Sequence, residues 1–173
     1  MKNTKRIALS GIMAAASIAV IYITTVTELF SITGCYIAAL ILLFIRIEYG
    51  TGTAASVYGV VTVLSWLILP DKSIAAVYTF IAGLYPLVKP YFDRISSKIL
   101  RRGCKIASFN IVIVALYFAA RALLAPEADA PWVLISTLVL SNAVFIMSDI
   151  LADRLTLLYN VKYRPRLRRR GIL

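Results

Sequence analysis

Apolar residues run along this chain in six blocks, at about 7–27, 30–45, 49–69, 73–92, 106–124 and 131–152. Most approach the roughly 20 residues that a helix needs to cross a hydrocarbon core of roughly 30 Å, at a rise of about 1.5 Å per residue. The second block is the shortest. Pro70-Asp71-Lys72 and the run from Ala125 to Pro131 interrupt the pattern as turns. No stretch between blocks is long enough for a separate soluble domain. The pattern predicts an all-α membrane protein with six transmembrane helices in one bundle. Residues 1–152 form a single integral-membrane domain, and 153–173 form a basic cytoplasmic tail.

Polar residues inside the blocks fall on lines at helical spacing. The fourth block places Tyr78, Ala82, Tyr85 and Lys89 on one face, and the fifth aligns Asn110, Tyr117 and Arg121. The sixth carries Asn142, Asp149 and Asp153 on one line and Thr137, Ser141 and Ser148 on a second. In the first, Ser10, Ser17, Thr24 and Glu28 share a line. Lipid offers no water to such groups, so these faces should meet each other or an aqueous cavity. Depth along the helices predicts a polar cluster of Lys89, Asn110 and Asp149 about one turn inside one boundary. Toward the other boundary, Glu28, Tyr78, Tyr117, Arg121, Thr137 and Asn142 are candidate substrate-binding residues, since aromatic walls with a few convergent polar groups suit a small molecule. Each also has a plainer reading. Lys89 can snorkel to the headgroups, Arg121 and Glu28 can be interfacial charges, and Thr137 can bond back to its own helix.

Composition and charge settle the solvent and the orientation. Hydrophobic residues make up 61% and charged residues only 16% of the 173, which a soluble domain of this size would not tolerate. The net charge of +11 is distributed by loop. With six crossings, the N-terminus, Arg46, the Arg94–Lys105 segment and the C-terminal tail share one side and hold nearly all the basic residues. Lys72 and Arg121 stand alone on the other. The positive-inside rule then makes both termini cytoplasmic, in a bacterial plasma membrane. The N-terminal apolar run is too long for a signal peptide's apolar region and is read as a retained helix. The tail Tyr163–Arg170 should attract anionic lipids at about 1 kcal/mol per basic residue; nucleic acid is not the expected partner.

The chain contains no His, and Cys35 and Cys104 fall in different blocks, so metal sites of the Cys/His kind and His-based acid–base catalysis are excluded. There is no P-loop, no GxSxG and no HExxH. Asp149 and Asp153 resemble the second half of the CDP-alcohol phosphotransferase motif, but the first half is absent. The expectation is no enzyme, no metal and no cofactor. On the first helix, Gly11, Ala15 and Ala19 are small residues four apart, which permits close approach of a partner helix or internal packing.

With Ala15-Ala16-Ser17-Ile18-Ala19 in its first helix, six spans and short loops, the chain resembles the substrate-binding S component of energy-coupling-factor transporters. The run LPDKSIAAVYTFIAGLYPLVKPYFDRI resembles a block of uncharacterised clostridial membrane proteins related to that fold. The resemblance implies uptake of a vitamin-like small molecule. It also implies a transmembrane T component docking on the Ala15/Ala19 face, with separate ATPase subunits supplying energy. The N-terminal His of the metal-binding members is missing, which argues against nickel or cobalt. The alternative is a non-catalytic scaffold of cell-envelope machinery, similar to rod-shape proteins of the MreD type. An outward cavity would favour the first reading, and a filled core between the fourth and sixth helices the second.

Overall fold

A computed structural model describes the backbone of residues 2–28, 30–124 and 131–163, and the side chains there except at 2, 3, 120–124, 131, 133, 134, 137 and 163. Six α-helices account for most of it: α1 (Lys2–Val26), α2 (Ser31–Ile68), α3 (Lys72–Val77), α4 (Tyr85–Asp93), α5 (Lys98–Leu124) and α6 (Pro131–Leu158). Two π-helical turns, Tyr78–Ala82 and Tyr159–Tyr163, join α3 toward α4 and extend α6. Among the described residues, Thr4–Val26, Ser31–Ile68 and Lys72–Asp93 are long and apolar enough to cross a membrane. Large apolar side chains face outward, such as Ile7, Leu67, Ile111 and Met147, as a lipid solvent allows. This is a helical membrane protein.

α2 is 38 residues long; a straight helix of that length would reach about 57 Å, nearly twice a hydrocarbon core of roughly 30 Å. It does not run straight. Gly50 sits at φ 84° and ψ 170°, a conformation essentially confined to glycine, and divides α2 into arms 31–49 and 51–68. Contacts to α1 show the reversal. Ser31 Oγ donates to the Thr24 carbonyl at 3.2 Å, and Gly34 lies so close that a Cβ there would sit 1.9 Å from Thr24 Oγ1. At the far end of the first arm, Arg6 donates to the Tyr49 carbonyl at 3.1 Å and to Thr53 Oγ1. The first arm therefore runs antiparallel to α1, and the second arm turns back alongside it.

The turn at 69–72 is built from local chemistry. Leu69 is extended ahead of Pro70, as the proline ring requires, which ends the second arm. Lys72 Nζ folds back onto the free carbonyls of Trp66 and Leu69, at 2.7 and 2.9 Å. Asp71 caps α3 by accepting from the Ser73 N–H at 2.8 Å. Tyr58 and Trp66 then fasten the second arm to the next helix, donating to the Thr79 carbonyl at 2.8 Å and to Thr79 Oγ1 at 3.2 Å.

Two prolines shape α4. Pro90 has no N–H to donate to the carbonyl four residues earlier, which belongs to Pro86. Arg46, half-buried on the first arm of α2, donates its guanidinium to that carbonyl instead. The core divides accordingly. One part joins α1, both arms and α3, through Ile21, Cys35, Ala38, Leu42, Val61 and Tyr78. The other is aromatic and joins α4, α5 and α6, with Phe109 stacked on Phe145 at 4.1 Å and Tyr85 edge-on to Phe145 at 5.0 Å.

Two boundaries depart from the sequence expectation. α5 begins at Lys98, two turns before 106, because Ser97 starts the helix: Arg101 N–H donates to its carbonyl at 2.9 Å and Leu100 N–H reaches its hydroxyl at 3.4 Å. Helix α6 continues beyond 152, so the first part of the expected tail is helical. Tyr159 anchors it, donating to Glu48 Oε1 at 2.8 Å and packing edge-on against Phe44 at 5.0 Å. The basic run 164–170 lies outside the described residues.

Candidate functional site

The end of the bundle that holds Arg6, Arg46 and the start of α5 is its basic end, and a ladder of alternating charges lies there, with its two lysines buried and its terminal carboxylates exposed. Lys89 on α4 binds Asp149 and lies 2.7 Å from Asp153, both on one face of α6. Lys105 on α5 lies 3.2 and 3.3 Å from the two Asp149 oxygens and 2.9 Å from Asp93 at the end of α4. The Tyr85 hydroxyl also donates to Asp149, and the Lys89 ammonium stands 5.5 Å from the Tyr85 ring centroid. The ladder reads Asp153–Lys89–Asp149–Lys105–Asp93. Lys89 and Lys105 are only 4% and 5% exposed, so their charges depend on these partners.

Spacing puts these groups in reach. Tyr85, Lys89 and Asp93 repeat every four residues on α4, and Asp149 and Asp153 do so on α6. Lys105 completes the set because α5 runs antiparallel to both. Each ammonium serves two carboxylates, and Asp149 is the hub with three donors. The two α6 carboxylates share the Lys89 ammonium. The ladder is chemically a clamp across three helices. A cavity of about 310 Å³ between α5 and α6 opens beside it, lined by Arg102, Lys105, Ile106, Ile146, Asp149 and Asp153, among others.

No protein-family model, curated protein or solved structure matches the chain.

The expected site residues are distributed differently from the sequence reading. Lys89 and Asp149 meet, but Asn110 does not join them. Its amide pairs with Asn142, at 2.7 and 3.2 Å, while each asparagine also donates to its own helix, to the carbonyls of Ile106 and Leu138. The antiparallel register of α5 and α6 sets Lys105, not Asn110, opposite Asp149. Asn142 is consequently held in this amide pair rather than in an open pocket.

Tyr78 is a second correction. It is fully buried against Tyr58, with ring centroids 6.3 Å apart, over Gly83, where a Cβ would come 2.9 Å from the Tyr78 ring. A π turn carries one more residue than an α turn, so the line Tyr78, Ala82, Tyr85, Lys89 is broken within Tyr78–Ala82. Tyr78 and Ala82 enter the first core, whereas Tyr85 and Lys89 face α5 and α6. Glu28 is exposed in the α1–α2 turn at φ 55°, where it ends α1 as a left-handed residue. Tyr117 is half-buried on α5, beside the Phe118 ring at 5.7 Å. Glu28, Tyr78, Tyr117 and Asn142 therefore lie in separate surroundings among the described residues; the side chains of Arg121 and Thr137 lie outside them.

Gly11, Ala15 and Ala19 are all exposed on α1, opposite the buried Ala14, Ser17 and Ile21. Beside Gly11 a groove of about 590 Å³ separates α1 from the second arm of α2, lined by Arg6, Ser10, Ala14, Gly52, Thr53 and Ser56 among others. Sequence reasoning missed Lys105, which reads as a loop charge until α5 is seen to begin at Lys98. Tyr85 and Asp93 carried a usable signal, their four-residue spacing from Lys89.

Proposed function

We propose that the chain is a non-catalytic, multi-pass protein of the bacterial plasma membrane, with six crossings and both termini cytoplasmic, that works by docking other envelope proteins. One observation carries this reading. Among the described residues, the space between the fourth and sixth segments is occupied by the Phe109–Phe145–Tyr85 stack, the asparagine pair and the charge ladder, with a cavity of only about 90 Å³ beside the stack. The free Gly11/Ala15/Ala19 face of α1 is the docking surface, because small residues let a partner helix approach closely. Affinity purification in mild detergent tests this. Wild type should recover cell-envelope proteins, and Ala15→Leu/Ala19→Leu should lose them while eluting as the same folded species. Undiminished recovery by the double variant would remove α1 as the interface.

A second reading is a substrate-binding subunit for uptake of a small molecule, working with a T component and ATPase subunits. The groove favours it: about 590 Å³ is within the range of small-molecule sites, and Ser10 there is buried with no hydrogen-bond partner for its hydroxyl among the described residues. Mass spectrometry of small molecules retained by the purified protein discriminates the two. A stoichiometric metabolite lost in Ser56→Trp would establish uptake, and an empty groove would sustain docking.

A further inference from the structure

The cavity between α5 and α6 changes character along its length. At the basic end its walls are charged: Arg102 and Lys105 from α5, Asp149 and Asp153 from α6. One turn further toward the middle of the bundle α6 supplies Ile146, while Ile106 and Ile150 form an apolar wall beside Lys105 and Asp149. Ile146 and Ile150 are 44% and 52% exposed, so the apolar half is continuous with the lipid-facing surface. Inside the cavity Lys105 and Asp149 are committed to the ladder. At the mouth, Arg102 is exposed and makes no ion pair among the described residues, while Asp153 binds Lys89 through one oxygen and remains 56% exposed. Among the described residues the mouth thus carries a cation outside the ion pairs, on α5, and an accessible carboxylate on α6.

We propose that this cavity binds one phospholipid with a primary-amine zwitterionic headgroup, a phosphatidylethanolamine. Its phosphate lies on Arg102, whose guanidinium offers a planar pair of N–H donors to phosphate oxygens. Its ammonium donates to Asp153, and its acyl chains run along Ile106, Ile146 and Ile150. Charge complementarity selects this occupant. Phosphatidylglycerol would leave Asp153 facing an anionic lipid with no cation of its own. Phosphatidylcholine carries a cation but no N–H to donate, and its methyl groups hold the charge away from the carboxylate. A soluble phosphate ester would leave the apolar half unoccupied.

The test is native mass spectrometry of the full-length protein in micelles containing equal amounts of phosphatidylethanolamine, phosphatidylcholine and phosphatidylglycerol with matched chains. One phosphatidylethanolamine should be retained, about fivefold or more above either competitor. Arg102→Gln and Asp153→Asn should each abolish that preference, and an excess of soluble glycerophosphoethanolamine should not displace the lipid. Arg102 is exposed, so its substitution tests the site without touching the ladder. Equal retention of the three lipids, a preference for phosphatidylglycerol, wild-type selectivity in Arg102→Gln, or displacement by the soluble headgroup would each overturn the proposal.

Discussion

The two halves of this bundle solve the same problem with opposite chemistry. Around α1, both arms of α2 and α3, the helices approach through small side chains. Ala38, Ala54 and Ala75 are wholly buried, and hydroxyls such as Ser17, Thr25 and Ser65 bond back to carbonyls of their own helices. Around α4, α5 and α6 the contacts are aromatic rings and ions. In lipid, burial of apolar surface does not drive helices together, so association rests on close packing or on polar groups that have no better partner. The first half uses shape, and many of its hydroxyls are satisfied within their own helices, while Ser10 and Tyr78 are buried with no hydrogen-bond partner among the described residues. The second half has ammonium and carboxylate groups that a single helix cannot satisfy, so its stability depends on three helices at once. Substitutions should therefore act cooperatively in the second half and site by site in the first.

The largest effect is expected at the hub of the ladder. Asp149→Ala leaves two buried ammoniums short of a partner and should cost about 3–5 kcal/mol, read as thermal or denaturant unfolding in detergent. Lys89→Ala/Asp149→Asn removes one charge of each sign and should be less destabilising than Asp149→Ala, because it leaves no buried Lys89 ammonium short of its partner. If the double variant were instead the weaker protein, the ladder would not be the source of the coupling. Next comes the reversal in α2. Gly50→Ala places a Cβ at φ 84°, ψ 170° and should cost about 1–3 kcal/mol, with no dependence on the state of the ladder.

Arg46→Met bridges the two regions, since it removes the donor that the first arm of α2 lends to the Pro86 carbonyl. A buried acceptor left unpaired costs about 1–3 kcal/mol, so a loss in the lower part of that range is expected, combined with greater protease sensitivity at α4. Unchanged stability in Arg46→Met would mean that water replaces the guanidinium there. The smallest effects separate two glycines of the shape-packed half. Gly34→Ala meets Thr24 and should destabilise, whereas Gly59 has nothing within 4 Å of an added Cβ. Gly59→Ala should raise stability by about 0.5–1 kcal/mol through helix propensity alone. Equal melting temperatures for these two variants would argue against close packing between α1 and the first arm.

Much of this arrangement was legible in the order of residues. Apolar length and periodicity made it a helical membrane protein, because backbone polar groups in lipid must be satisfied within the segment. Local signals marked the turn at Pro70-Asp71-Lys72, and Lys89 and Asp149 stood out because a charge at that depth needs a partner. What the chain order could not supply was the register between helices and the phase along them. One extra residue in the π turn Tyr78–Ala82 sends Tyr78 into one core and Lys89 into another, and no periodicity rule anticipates it. The antiparallel sliding of α5 on α6 decides that Lys105, rather than Asn110, faces Asp149. Side-chain identity is a property of a position, whereas its partner is a property of the packing. A helix carries its polar groups at fixed angles, and only contact with its neighbours determines which of them meet.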